Sequence, residues 1–154
     1  MRSPLLLRRP DDDGFILIED QVIRILDRYR QRSSGSPESG GILLGYRREL
    51  HLHVTDVTVP LATDGRSRTR FFRSAEPHRQ TAHARWRESG GTMDYVGEWH
   101  THPELNPSPS TIDRRGWERI SSSRKMPMLF IIAGTQDSLW IGLGVDAGLH
   151  RVSE

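Results

Sequence analysis

The stretch from 97 to 113, GEWHTHPELNPSPSTID, constrains this chain more than any other. Its first part reads as the end of a strand over Tyr95–His102. Side chains alternate there, so His100 and His102 point to one face and Thr101 to the other. Pro103, Pro107 and Pro109 stiffen the connection after the strand, each fixing φ and removing a backbone donor. Ser110-Thr-Ile-Asp113 then opens a helix expected to run from about 111 to 122. A stiff connector delivers that helix to a defined place relative to the strand end.

The rest of the chain supplies the partners for that strand. FILI at 15–18 reads as a short strand, followed by a helix with Asp20 as its N-cap and Val22, Ile25, Leu26 and Tyr29 on one face. SSGSP at 33–37 ends the helix. ESGGILLGY (38–46) reads as an apolar strand with Glu38 at its start, and the alternating LHLHVTDVTV (50–59) pairs with it as a hairpin. A Gly/Ser/Arg loop at 60–68 leads to a strand expected at Thr69–Arg73. Pro77–Glu88 has helical character, with Gly90-Gly91 closing it. MLFIIA (128–133) and LWIGLGV (139–145) are the last two strands. Residues 1–13 read as a loosely ordered, flexible lead-in, and 14–154 as one domain. The expected fold class is α+β, a mixed central sheet packed by two or three helices.

Composition narrows the chemistry. With no cysteine in 154 residues, disulfides, thiolate catalysis and cysteine-based metal sites are excluded, so any metal is held by nitrogen and oxygen. The apolar runs are far short of the roughly 20 residues a membrane span needs. Leu5–Leu7, flanked by Arg2, Arg8 and Arg9, is too short for a signal peptide. The expectation is a cytoplasmic protein with no membrane partner. Of 22 basic residues one alone is lysine, Lys125, which GC-rich coding accounts for. Arginines 66, 68, 70 and 73 could track phosphates or receive an acidic stretch of a partner. No aromatic stacking pattern beyond Phe71-Phe72 joins them, so a nucleic-acid partner is not expected.

Two imidazoles side by side at a strand end are poor core residues and good metal ligands. The chain contains its own control in His51-Leu52-His53. There Leu50, Leu52 and Val54 mark the inward face, and both histidines are expected on solvent without a metal. The pair at 100 and 102 differs by the Ser-x-x-Asp that comes after it. Read alone, Ser-x-x-Asp is a variant of a capping box. Ser110 and Asp113 nevertheless lie on one helical turn and can both face His100 and His102. Two histidines and one aspartate leave a fourth position open, as catalytic zinc sites do. Hydrolysis of an amide also needs a carboxylate near the metal that is not a ligand. Glu38, Glu98 and Glu104 all qualify, and spacing does not choose among them.

These residues resemble the signature of the JAB/MPN metalloprotease family, also called JAMM. Its elements are a glutamate on an early strand, His-x-His-Pro, and Ser-x-x-Asp after seven intervening residues. Glu38, His100-Thr-His102-Pro103 and Ser110-x-x-Asp113 match all of them, and the similarity spans about 15–145. The resemblance implies the single-domain JAB/MPN fold, which is cytidine-deaminase-like. It implies one zinc per chain on His100, His102 and Asp113. Glu38 becomes the general acid/base and Ser110 the donor to the tetrahedral oxyanion. ESGGILLGYR and GEWHTHPE most resemble small stand-alone bacterial members of anti-phage (CBASS) operons. The implied activity is an isopeptidase that cuts between a conjugated protein's C-terminal tail and its lysine or other amine target. That conjugated protein is a ubiquitin-like modifier or a nucleotidyltransferase, and an E1/E2-like enzyme is an expected operon partner. Phe71, Phe72 and Trp99 are candidate apolar subsites.

Two other readings remain. A cupin-type protein also uses His-x-His, but its glutamate and later histidine fall at spacings this chain lacks. A non-catalytic, zinc-stabilised binding module would retain the ligands without needing Glu38.

Overall fold

The computed structural model describes residues 3–62, 64–73, 75–146 and 148–153, the side chain of Phe72 excepted. In chain order the elements are β1 (Leu5–Arg8), β2 (Phe15–Ile18), α1 (Asp20–Tyr29), β3 (Gly40–Arg48) and β4 (His51–Val57). Then come β5 (Gly65–Arg66), β6 (Phe71–Phe72), α2 (Ala75–Glu88), β7 (Asp94–Thr101) and α3 (Thr111–Ser123). The chain closes with β8 (Met128–Ala133), β9 (Leu139–Val145) and β10 (Gly148–Arg151). One eight-stranded sheet runs β1-β2-β4-β3-β7-β8-β9-β10, and β5-β6 form a separate small hairpin. The β2–β4 and β7–β8 pairs are parallel and the other pairs in the sheet are antiparallel, so the sheet is mixed as expected.

Helices cover both faces, which is why β8 is buried at all six positions and reads as an unbroken apolar run. On one face Val22, Ile23 and Leu26 of α1 pack with Leu43, Val54, Trp99, Leu129 and Ile131. On the other, Trp117 of α3 packs with Met128, Phe130, Ile132 and Trp140. Ala82 of α2 packs nearby against Ile42, Leu44 and Met93. A bulge where β3 meets β7 inserts Val96, so Tyr95, Glu98 and His100 share the α2/α3 face.

Several details differ from the sequence reading. The lead-in expected to be flexible contains β1, which pairs in register from Leu5↔Ile18 to Arg8↔Phe15. Leu7 is buried while Leu6 stays exposed, a period-two pattern too short to stand out in four residues. Met1 and Arg2 lie outside the described residues. Helix α1 starts one residue earlier than expected, with Glu19 as N-cap and no side-chain capping bond. The Glu19 carboxylate is spent on His53 (2.7 Å), and Asp20 pairs with Arg24 (3.0 Å). Ile23, not Ile25, is the third buried residue of α1. The two flank the Val22–Leu26 line on opposite sides, and periodicity does not say which side the sheet covers.

Candidate metal centre

The site is assembled where β7 leaves the sheet. His100 is the penultimate residue of β7, and His102 lies just beyond it, held by its amide donating to Ala133 O (3.0 Å). Parallel pairing of β7 with β8 requires a crossover, and α3 supplies it. The proline loop crosses above the sheet end with Pro107 buried and Thr135 N–H donating to Glu104 O (2.9 Å). Helix α3 then begins at Ser110 with a complete capping box. The Ser110 hydroxyl accepts from Asp113 N–H (3.1 Å), and Ser110 N–H donates to Asp113 Oδ2 (2.8 Å). The capping reading of Ser-x-x-Asp holds, and it does not prevent Asp113 from facing the histidines. The cap orients the aspartate, and the same Oδ2 faces the histidines.

Three donor atoms converge. His100 Nε2 and His102 Nε2 are 3.1 Å apart, and Asp113 Oδ2 lies 3.3 and 3.2 Å from them. In a tetrahedron with zinc–nitrogen bonds of about 2.0–2.1 Å, neighbouring ligands are separated by about 3.3 Å. The donor set thus fits one small cation with three protein ligands and a position left toward the cleft. That cleft, of about 600 Å³, is lined by Glu38, Ser110, Phe71, Ile112 and the three donor residues among others.

Charge balance points the same way. Burial by itself would raise the Asp113 carboxyl, but hydrogen bonds from His100 and His102 and from the Ser110 amide hold it well below the usual range. Burial by itself would lower His102, yet hydrogen bonds to Asp113 and Glu104, with their charges, push it up to about 9. Without a metal, the site therefore retains a proton: it is built to hold positive charge. Glu38 is 6% exposed, and burial raises its carboxyl, opposed by His100 and His102 nearby. Burial is thus the largest influence on this carboxyl, which lines the same cleft as the His100–His102–Asp113 cluster.

The structure separates the three glutamates that spacing left equal. Glu98 forms an ion pair with Arg73 and accepts from the Tyr95 hydroxyl (3.1 Å). Glu104 accepts from His102 Nδ1 (2.9 Å), which orients the ring so that Nε2 faces the cluster. Of the three, Glu38 is the one that is buried where it lines the cleft. Trp99 borders the cleft but offers it little surface. It is 1% exposed, donates from Nε1 to Thr58 O (2.9 Å), and belongs to the core on the α1 face. Phe71 does line the cleft, whereas the Phe72 side chain lies outside the described residues.

Sequence reasoning missed Trp117, which stacks on Phe130 (4.7 Å) and Trp140 (5.6 Å) and backs the His100 ring at 5.5 Å. Its place four residues after Asp113 puts it on the same helical face, a signal available in the sequence. The arginines at 66, 68 and 73 each bond within the chain, although Arg66 and Arg68 remain exposed. Arg66 donates to Glu38 O (3.0 Å) and Ser39 Oγ (2.6 Å), Arg68 to Ser33 O (2.9 Å), and Arg73 pairs with Glu98.

The family model described as prokaryotic homologs of the JAB domain matches residues 21–142. A protein named CD-NTase/cGAS isopeptidase from Escherichia coli (strain TW11681) is 40% identical, covering 94% of this chain and 91% of the relative. A protein of the same name from Vibrio cholerae serotype O1 is 39% identical, covering 89% and 86%. A probable metalloprotease from Sinorhizobium fredii is 28% identical over 68% of this chain and 70% of its own length. The solution structure of a protein from Desulfitobacterium hafniense superposes with a TM-score of 0.58 at 24% identity, covering 85% and 84%, which is a likeness of fold. With that fold, this donor set and these relatives together, the chain belongs to the prokaryotic JAB family.

Proposed function

We propose that this chain is a zinc-dependent isopeptidase that releases a conjugated nucleotidyltransferase of the CD-NTase class from its target amine. The observation that carries the reading is the convergence of His100, His102 and Asp113 within 4.8 Å beside the buried Glu38 carboxyl. The relatives at about 40% identity bear the name of that activity, which supports the substrate class. Zinc fits because the donors are two imidazoles and one carboxylate in near-tetrahedral spacing.

His100, His102 and Asp113 would hold the metal, which supplies Lewis acidity toward the water and the scissile carbonyl. Glu38 takes one proton from the attacking water as its oxygen adds to the carbonyl carbon. The same carboxyl returns that proton to the nitrogen as the C–N bond breaks, leaving a carboxylate on the tail and a free amine on the target. Ser110 Oγ already accepts from Asp113 N–H, so its own hydrogen is free to donate to the developing oxyanion. No nucleophilic side chain is needed and no acyl-enzyme forms.

The amine target is a lysine or comparable amine, and an E1/E2-like enzyme would make the linkage that this chain cuts. Residues 14–154 form the catalytic unit, to which β1 adds an edge strand. Among the described residues no helix is long and apolar enough to cross a membrane, and we place the activity in the cytoplasm.

Glu38→Gln tests the reading. Turnover of a nucleotidyltransferase–lysine conjugate should fall by about 10²–10⁴-fold, the usual contribution of a general base, while bound metal and melting temperature stay at wild-type levels. A binding module would show no turnover in either protein, and full activity in the variant would remove Glu38 from the mechanism.

A further inference from the structure

Glu38 precedes the first ladder residue of β3, so the sheet does not hold it. Its backbone is instead tied down by two groups of bonds. Glu38 N–H donates to Ser67 O (2.6 Å), and Glu38 O accepts from Arg66 Nε (3.0 Å). Ser39 exchanges a pair of bonds with Thr101: Ser39 N–H donates to Thr101 Oγ1 (3.0 Å), and Thr101 N–H donates to Ser39 O (2.9 Å). Thr101 sits between the two histidines but points to the opposite face of the strand, where it is fully buried. Its hydroxyl donates to Gln31 Oε1 (2.9 Å). Gln31, 1% exposed, donates in turn to Ser36 O (3.1 Å) and Arg68 O (2.7 Å).

One amide side chain thus joins the loop leading into Glu38, the arginine hairpin and the strand carrying His100 and His102. Both hydrogens of its Nε2 and its oxygen are used. A buried amide with every group satisfied is a rigid joint, because any displacement leaves a polar atom unpaired in the interior. The three segments frame the distance from Glu38 to the histidine pair.

We propose that Gln31 and Thr101 form a positioning unit that sets Glu38 against His100 and His102 from behind the strand, without either residue touching substrate. The role rests on Glu38 being the proton carrier proposed above. Arg66 and Arg68 add to it through their bonds to Glu38 O, Ser39 Oγ and Ser33 O, which hold the peptide of the base and the loop before it.

The test compares wild type with Thr101→Val, Thr101→Ser, Gln31→Met and the Val/Met double variant in the full chain. The substrate is the C-terminal peptide of a CD-NTase linked to the ε-amine of a lysine peptide. Thr101→Val keeps shape and removes the hydroxyl, whereas Thr101→Ser keeps the hydroxyl. Thr101→Val and Gln31→Met should each lower kcat by about 10–100-fold, the cost of an ångström-scale misplacement of a catalytic group. KM should stay within about twofold, because ground-state binding is untouched. Zinc stoichiometry should not change, and Thr101→Ser should recover most of the loss. The double variant should be no slower than the worse single one, since the two residues act as a unit. Wild-type kcat in Thr101→Val, losses that multiply in the double variant, or a loss of zinc in step with activity would each overturn the proposal.

Amide hydrogen exchange at Ser39 reads the same unit without turnover. It should quicken by about tenfold or more in Thr101→Val and Gln31→Met and stay near wild type in Thr101→Ser, as local opening dictates. If wild type does not cut the conjugate, the isopeptidase reading falls by itself. Unchanged exchange at Ser39 in Thr101→Val and Gln31→Met would then overturn the positioning unit separately.

Discussion

His51-Leu-His53 on β4 and His100-Thr-His102 at the end of β7 share a spacing and an element type, and they end in different chemistry. The first pair lies within a strand bonded on both sides, and each ring finds its own partner. His51 is exposed, accepts from Phe15 N–H at Nδ1 (3.0 Å) and stacks on the Phe15 ring at 5.8 Å. His53 is partly covered, not on open solvent as expected, because Glu19 takes its Nε2 at 2.7 Å. In the second pair His102 lies one residue past the strand, and the two Nε2 atoms close to 3.1 Å. A helix N-terminus then brings Asp113 to both. His-x-His supplies two donors, and the third donor decides whether they become a site.

The largest effect should separate the pairs outright. Asp113→Ala should abolish stoichiometric zinc binding and lower turnover by at least about 10³-fold, the scale of several kcal/mol that a metal contributes. Metal analysis after gel filtration checks the first outcome and conjugate cleavage the second. Retained zinc in that variant would move the site elsewhere.

A pH series sharpens the comparison, because the second pair carries a raised histidine. In the metal-free chain His102 is pushed up to about 9 from an ordinary 6.5. A folded value above the unfolded one stabilises the protonated form. The His102 contribution to metal-free stability is therefore complete below about 6.5 and is lost as pH rises through about 9. Zinc must displace that proton, so apparent zinc affinity should rise roughly tenfold per pH unit up to about pH 9. Chelator competition at stepped pH measures the slope, and a flat profile would mean that His102 binds no proton in the free chain.

The smallest effect belongs to the control pair. His53→Gln should leave zinc content and turnover unchanged and cost no more than about 1 kcal/mol in denaturant unfolding, as partly exposed pairs do. A drop in zinc content there would show that the two pairs are not independent.

The fold was readable where patterns were long. Met128–Ala133, buried at every position, and the nine-residue β3 announced themselves by continuous apolar character. Strands β1 and β10, four residues each, did not, because an edge strand is defined by the neighbour it joins rather than by its own periodicity. Within the site, the grouping of His100, His102 and Asp113 was legible from spacing and from resemblance. Trp117 was passed over although its spacing from Asp113 offered a signal, and Gln31 gave none, since it belongs to no motif and bonds a residue distant in sequence. Gln31 meets Thr101 across 70 positions.

The amino-acid sequence by itself determined the donor chemistry: no thiolates, two imidazoles on one strand face, and a helix opening on Ser-x-x-Asp after a proline-stiffened connector. Those are local properties, set by residue type and by the periods of strand and helix. The tertiary structure alone decided how the three glutamates are engaged. Glu98 is occupied by Arg73 and Tyr95, Glu104 by His102, and Glu38 is buried with its backbone clamped. The reason is physical. A carboxylate's role depends on its desolvation and on the charges around it, and both come from segments that meet only when the sheet closes.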